Sequence, residues 1–571
     1  MDAAAERQDF DLVVRGGRVV DGTGLPPYKA DIGVRDGRIA SIGRIEDDAL
    51  ATARRVIDAE GLTVMPGFVD IHTHYDAQLH FEPTASPASW HGVTTVLMGN
   101  CGFTIAPARE GDVPWLLSML SRVEGMPPPA LEAGVTFPGG SVGDFLDGLD
   151  GRIAINAAAF VGHSAVRRYV MGDDSQTREA TPDEIQAMQE LVRAAMREGA
   201  AGFSTSQLVL HQAHNGLPVP SNLASHDEVV ALSAVLAEFP YGTLAIIPRS
   251  SNEGFDEEDQ RLLHDMATAS GKSIDLGPIV WFAGMPDSWK KAVQVVDDAA
   301  AEGLRYYPGY AVHKGGAFFA LDNTFLFDDV EGMRAALVQP EPQRSAALRD
   351  PAVRNAIRSD MAAPTNTFPM RYDITTVYSV HRPEHESWVG RPLQDLIDER
   401  GGGDQLDAFL DLALEDDLLT TFRVTPLSER GGRAVTEQIV THPMMVPGSS
   451  DGGAHLASFV GADFTTRLLT EWVPNPFTLE EAVRRLTAIP AAMHGIHDRG
   501  ELRVGAWADI VLADLEHLTV GLTRWVDDFP GDSGRLVVDA DGYRAVIVNG
   551  EVILEDGKPT GALSGQVLRF S

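Results

Sequence analysis

Between residues 181 and 312 the chain alternates four times between a helix and a short apolar strand. TPDEIQAMQELVRAAMREG opens on Thr181, with Pro182 in the first turn and Glu184 three positions on, and leads into AAGFSTS. SHDEVVALSAVLAEF, with Ser225 and Glu228 in the same relation, leads into TLAIIPRS. DEEDQRLLHDMATASG precedes KSIDLGPIV, and DSWKKAVQVVDDAAAEG precedes LRYYPGYAV. Ser or Thr followed by Glu at the third position is a helix-start signature. Helices alternating with apolar strands specify an α/β fold with a parallel sheet. The length of the repeating region fits a (β/α)8 TIM-like barrel.

The flanks read differently. DLVVRGGRVVDGTG and ADIGVRDGRIASIGRI at one end, and ADIVLADLEHL and YRAVIVNGEVILEDGKPTG at the other, are short strands broken by Gly and Asp turns. Neither tail is large enough for its own core. Residues 1–66 and 505–571 are therefore expected to combine as the two halves of a small β-sandwich domain. Residues 67–313 and 442–504 form the two parts of the barrel. Residues 314–441, where the helix–strand beat is lost, form an insertion over the barrel mouth or an oligomer-forming appendage.

Composition closes several options. The 571 residues hold 46 basic against 82 acidic side chains, a net charge of −36, which repels nucleic acid and anionic membranes. The partner expected is a small-molecule substrate, with a homo-oligomer an open possibility. MDAAAERQDF has no apolar signal core, and no run approaches membrane-spanning length, so the expected compartment is the cytoplasm. Cys101 is the one cysteine, which excludes an internal disulfide and leaves a core residue or a chemical group.

The chemical signal is GFVDIHTHYD. Alternation along a strand puts His72 and His74 on one face with Thr73 opposite. Cys101 follows the apolar run TTVLMGN, and Asp451 follows MMVPGSS, which reads as the last barrel strand. First and last strands of a closed barrel are neighbours, so Asp451 is expected to face the two histidines. Two imidazoles and a carboxylate suit zinc with a water position left open.

These segments carry a resemblance. PGFVDIHTHYD, MGNCGF, VGHSAVRR, GFSTS and GSSDGGAH, in that order and flanked by ADIVL and VNG, resemble the amidohydrolase superfamily over nearly the full length. Within it the chain is similar to the N-acyl-D-amino-acid deacylases. Cys101 lies 27 positions after His74, the spacing that family uses between its paired histidines and its metal-binding cysteine. The resemblance implies His72, His74, Cys101 and Asp451 as metal ligands. It also implies that Asp451 is the base that takes a proton from a metal-activated water. Two family histidines are missing: Pro248 stands at one position and the run SIDLGPIVW, with Ile279, at the other. The lysine of that second run, which the family uses for the substrate carboxylate, is missing too.

One zinc ion per chain is therefore expected, with a second only if other histidines are recruited. His163 and His313 close predicted strands and are the candidates for recruitment or for support behind the ligands; Lys314 follows His313. His211 and His214, in a Gly-Pro loop at the mouth, are candidate substrate contacts, and His455 is a candidate supporting group beside Asp451. Arg249, Arg371 and Arg167 are the arginines open to a substrate carboxylate. The expected activity is hydrolysis of an amide-like C–N bond, as in an N-acyl amino acid. The alternatives are a one-metal relative acting on another bond (ester or lactone hydrolysis, elimination, isomerisation) and a non-catalytic relative serving as a scaffold.

Overall fold

The computed structural model describes residues 10–281, 285–310, 312, 317–363, 370–424, 432–448 and 450–571. Both tails contribute to one nine-stranded sheet. Leu12–Val19 runs parallel to Thr63–Pro66, which in turn pairs antiparallel with Ile510–Ala513 from the far end of the chain, Pro66 opposite Ile510. Alternate residues of these strands, among them Val14, Ile32, Val64, Leu512 and Ile547, close a core of their own. Thr519–Phe529 and Ser533–Asp541 stand apart from that sheet as an antiparallel ribbon. Phe529, Leu536 and Val538 of this ribbon are buried in the main core.

The central region supplies parallel strands in chain order: β1 (Phe68–Thr73), β2 (Val93–Met98) and β3 (Asn156–Ala159, continued by Val161–Gly162). They are followed by β4 (Gly202–Ser206), β5 (Thr243–Ile247), β6 (Ile274–Leu276), β7 (Tyr306–Tyr310) and β8 (Val446–Pro447). Each pairs in parallel with the one before it. Beyond β8, Gly452 bridges in parallel to Thr73, and its carbonyl accepts the His74 N–H at 2.7 Å. The end of the series thus meets its beginning. Val69, Ile71, Leu97, Ala158, Ala245 and Val446, from five of these strands, share one buried cluster.

Helices α1 (Val113–Val123), α2 (His163–Met171), α3 (Pro182–Arg197) and α4 (His226–Ala234) cover the strands. Residues from 317 to 424 hold a separate core built on Phe319, Phe327, Leu410 and Phe422. Its centre is a three-stranded antiparallel sheet of Ala317–Phe319, Thr421–Val424 and Thr375–Ser379. Sequence reading gives this stretch as helical and irregular, because strands of three to five residues leave no periodicity to detect. Among the described residues, no helix is long and apolar enough to cross a membrane.

Candidate metal centre

The C-terminal ends of β1 and β2 converge. His72 and His74 are both buried, and their ring centroids are 5.5 Å apart. Cys101 sits in the short turn Asn100–Gly102 that follows β2, with its Sγ 3.4 Å from His72 Nε2. The ligand atoms of His72, His74 and Cys101 all lie within 4.8 Å of one another. Asp451 closes the set from the β8 side, its Oδ1 3.3 Å from His72 Nε2 and 3.8 Å from His74 Nε2.

The turn is tightly fixed. Asn100 Nδ2 donates to the carbonyls of Ile71 and Leu97, both at 3.1 Å, which ties the end of β2 to β1. Gly102 N–H donates to Ser204 Oγ on β4 at 3.1 Å. Gly102 has φ +76°, and a Cβ there would lie 3.0 Å from Thr205 Cα, so the approach of the turn to β4 requires glycine. Cys101 and Asp451 both adopt positive φ, +57° and +49°. Non-glycine residues held in that region cost of order 1–3 kcal/mol and cluster at functional sites.

Burial dominates the electrostatics. It pushes the His74 imidazole well below its usual range, with His72, His455 and His211 adding to the effect. It lowers His211 and His455 to about 3. It raises the Cys101 thiol, reinforced by Glu124 and Asp451, and brings the carboxyls of Asp70 and Asp76 up to about 7. The result is a pocket of neutral imidazoles beside acids that resist ionisation. A divalent cation reverses this: it holds neutral imidazole nitrogens, deprotonates a thiol and offsets carboxylate charge. Two imidazoles, one thiol and one carboxylate are also the donor chemistry of zinc. The side chains present therefore fit such an ion.

The surrounding groups are arranged on these four. Ser450 Oγ donates to Asp70 Oδ2, and Gly99 N–H donates to Asp76 Oδ2 at 2.9 Å. Glu124, just past the end of α1, places Oε1 3.5 Å from His74 Nδ1 and Oε2 3.5 Å from His455 Nε2. Sequence reading missed Glu124, since nothing in RVEGMPPP marks a residue that only the fold brings to the site. His455, at φ +53°, lies between the rings of Phe325 and Phe459, with centroids at 4.5 and 4.7 Å. His211 Nδ1 is 2.7 Å from Ser206 Oγ at the end of β4, and its ring meets Phe103 edge-on at 5.1 Å.

The remaining candidates lie elsewhere. His163 uses both ring nitrogens, on Thr205 Oγ1 at 2.8 Å and Glu228 Oε1 at 2.9 Å, so neither is left for a metal. Arg167 is fully buried and spent on the same Glu228. Arg249 is exposed and paired with Asp256 and Glu258, and Arg371 is exposed and paired with Asp373. Local acidic partners thus hold both away from the centre. His214 is exposed against Trp115. His313 and Lys314 lie outside the described residues. Pro248, following β5, and Ile279, beyond β6, are buried and offer no metal donor.

Comparison with known proteins shows the family of the chain. The model of the amidohydrolase family matches residues 55–554. A D-aminoacylase of Alcaligenes xylosoxydans xylosoxydans is 28% identical, the match covering 99% of this chain and 98% of that protein. A solved D-aminoacylase structure, described for one-metal activation and second-metal attenuation at a binuclear centre, superposes with a TM-score of 0.66 at 26% identity. That match covers 98% of this chain and all of the other. An N-acyl-D-glutamate deacylase from Bordetella bronchiseptica, complexed with zinc and a phosphonate mimic of the tetrahedral intermediate, also gives 0.66, at 25% identity over 99% of this chain and all of that one. With a family match over most of its length and the donor cluster at its strand ends, the chain belongs to the amidohydrolase family.

Proposed function

We propose that the eight parallel strands close as a (β/α)8 barrel and that the chain is a one-zinc amidohydrolase acting at their C-terminal ends. Its substrate is an N-acyl amino acid or a related small amide. The observation that carries this is the buried cluster of His72, His74 and Cys101, with the half-buried Asp451 placing Oδ1 3.3 Å from His72 Nε2 and 3.8 Å from His74 Nε2. The Thr73–Gly452 bridge supports closure. The residues that would hold zinc are these four, and the apolar Pro248 and Ile279 favour a single ion. Zinc bound there supplies Lewis acidity towards water and carbonyl oxygen.

The chain's own groups do the rest. Asp451 accepts a proton from the attacking water and delivers it to the leaving nitrogen, work that contributes about 10²–10⁴-fold. His211 donates from Nε2 to the substrate carbonyl. Phe325, from the insertion, packs its ring at a tilt against His455 and supports a lid role for that region. The arginines named from sequence are committed elsewhere, so neutral amides belong in the substrate screen beside N-acyl amino acids of both hands.

The test is elemental metal content of protein purified without chelator, for wild type and Asp451→Asn, followed by that screen. About one zinc per chain, lost or weakened in the variant, is expected, with release of free amine from at least one amide. No metal after zinc is offered overturns the proposal. The apolar ends at Pro248 and Ile279 also favour a second reading, a one-metal enzyme acting on an ester or lactone. Zinc with turnover of those substrates alone would select it.

A further inference from the structure

Two buried imidazole nitrogens near the centre, His74 Nδ1 and His455 Nδ1, have no hydrogen-bond partner. Glu124 is only 2% exposed, and one of its oxygens lies 3.5 Å from that His74 nitrogen. His74 turns its other nitrogen towards Asp451. When Nε2 of a neutral histidine holds a cation, the ring proton resides on Nδ1 and needs an acceptor. Glu124 is the carboxylate placed to receive it.

The same carboxylate faces His455 Nε2 with its second oxygen, and the Glu124 backbone carbonyl accepts the His455 N–H. The end of α1 fixes Glu124 itself, whose N–H donates to the Leu120 carbonyl at 2.8 Å. Two residues earlier on the same helix, Arg122 is held by Asp328 and the Thr324 carbonyl of the insertion. One helix end thus meets a metal-ligand histidine, the loop after Asp451 and the insertion.

We propose that Glu124 is the positioning residue of the metal centre, orienting His74 for the ion and fixing His455 beside it. This rests on the zinc reading above. The alternative is a carboxyl that merely fills space between two rings. A filler can be removed without changing metal affinity, whereas loss of a group that orients a ligand typically weakens affinity about 10–100-fold.

The experiment is zinc affinity by chelator competition for full-length wild type, Glu124→Gln and Glu124→Ala, with the melting temperature of each metal-free protein as the control for folding. The expected result is zinc binding weakened about 10–100-fold in Glu124→Ala and by less in Glu124→Gln, which retains a hydrogen-bond acceptor, with metal-free melting no lower than wild type. Cobalt(II) in place of zinc gives a second readout, since visible bands shifted from wild type report an altered ligand geometry. Wild-type affinity and unshifted bands in both variants overturn the positioning role while leaving the zinc reading intact. A wild type that binds no zinc overturns both.

Discussion

Ser206 decides which tautomer His211 presents. The Ser206 side chain is fully buried; its Oγ accepts the Leu208 N–H at 3.2 Å, and the acceptor within reach of its own hydrogen is His211 Nδ1 at 2.7 Å. Burial and the neighbouring imidazoles keep His211 neutral, so its single proton sits on Nε2. A neutral imidazole in that tautomer is a donor for a carbonyl oxygen that gains charge during the reaction. Removing one such donor costs about 10²–10³-fold in kcat. His211→Phe should show that loss at unchanged zinc content, and Ser206→Ala a smaller one, because the ring can then adopt either tautomer. Unchanged kcat in His211→Phe, on a substrate returned by the screen, removes His211 from the mechanism. At this scale the cluster of His72, His74 and Cys101 is legible, because strand alternation and the family spacing mark its members. His211 stood out only as a loop histidine, and Glu124 not at all, since its role depends on where α1 ends.

Helices show the same division between local and distant causes. The sequence TPDE predicts a start at Thr181, and the structure has the full reciprocal cap: Thr181 Oγ1 accepts the Glu184 N–H, and the Glu184 carboxylate accepts the Thr181 N–H at 2.8 Å. Thr181→Ala should cost about 1 kcal/mol of stability by chemical denaturation. Arg178 first, and then the Thr181 N–H, hold the Glu184 carboxyl down at about 2, against 4.5 ordinarily. A carboxyl lowered on folding stabilises the native state above its unfolded pKa and loses that contribution as pH falls through its folded one. The stability gap between wild type and Glu184→Gln should therefore be full above pH 4.5 and gone by about pH 2; a gap that persists at pH 2 contradicts the assignment. SHDE at Ser225 carries the same signature, yet only half the cap forms. Ser225 accepts the Glu228 N–H, while the Glu228 side chain turns inward to His163 and Arg167. Local pattern gives the helix start, and the tertiary partners that divert Glu228 have no local trace.

Across the whole molecule, the tail segments ADIVL and VNG, which first appear as bare motifs, meet in one buried network. Asp509 accepts the Asn549 N–H at 2.8 Å and Asn156 Nδ2 at 3.1 Å, and it pairs with the buried Arg499. Arg499 donates to Asn549 Oδ1 at 2.8 Å, and Asn549 Nδ2 donates to Asn156 Oδ1 at 2.8 Å. Asn156 begins β3, so these contacts join the sheet made from the chain ends to the parallel strands. The Asp509 carbonyl also accepts the Gly67 N–H at 2.9 Å, directly before β1 and its histidines. Pairing of the two tails follows from the sequence, because neither is large enough alone. The network that fastens them does not, since Asn156 lies hundreds of residues from Arg499, Asp509 and Asn549. Truncating Asp509 strands the Arg499 charge in the interior, and breaking a buried pair in this way costs about 3–5 kcal/mol. Asp509→Ala should lose stability of that size by denaturant titration, whereas the double variant Asp509→Ala with Arg499→Met should recover part of it, because no charge is then left unpaired. A double variant no more stable than Asp509→Ala would assign the cost to the lost hydrogen bonds of Asn156 and Asn549 instead.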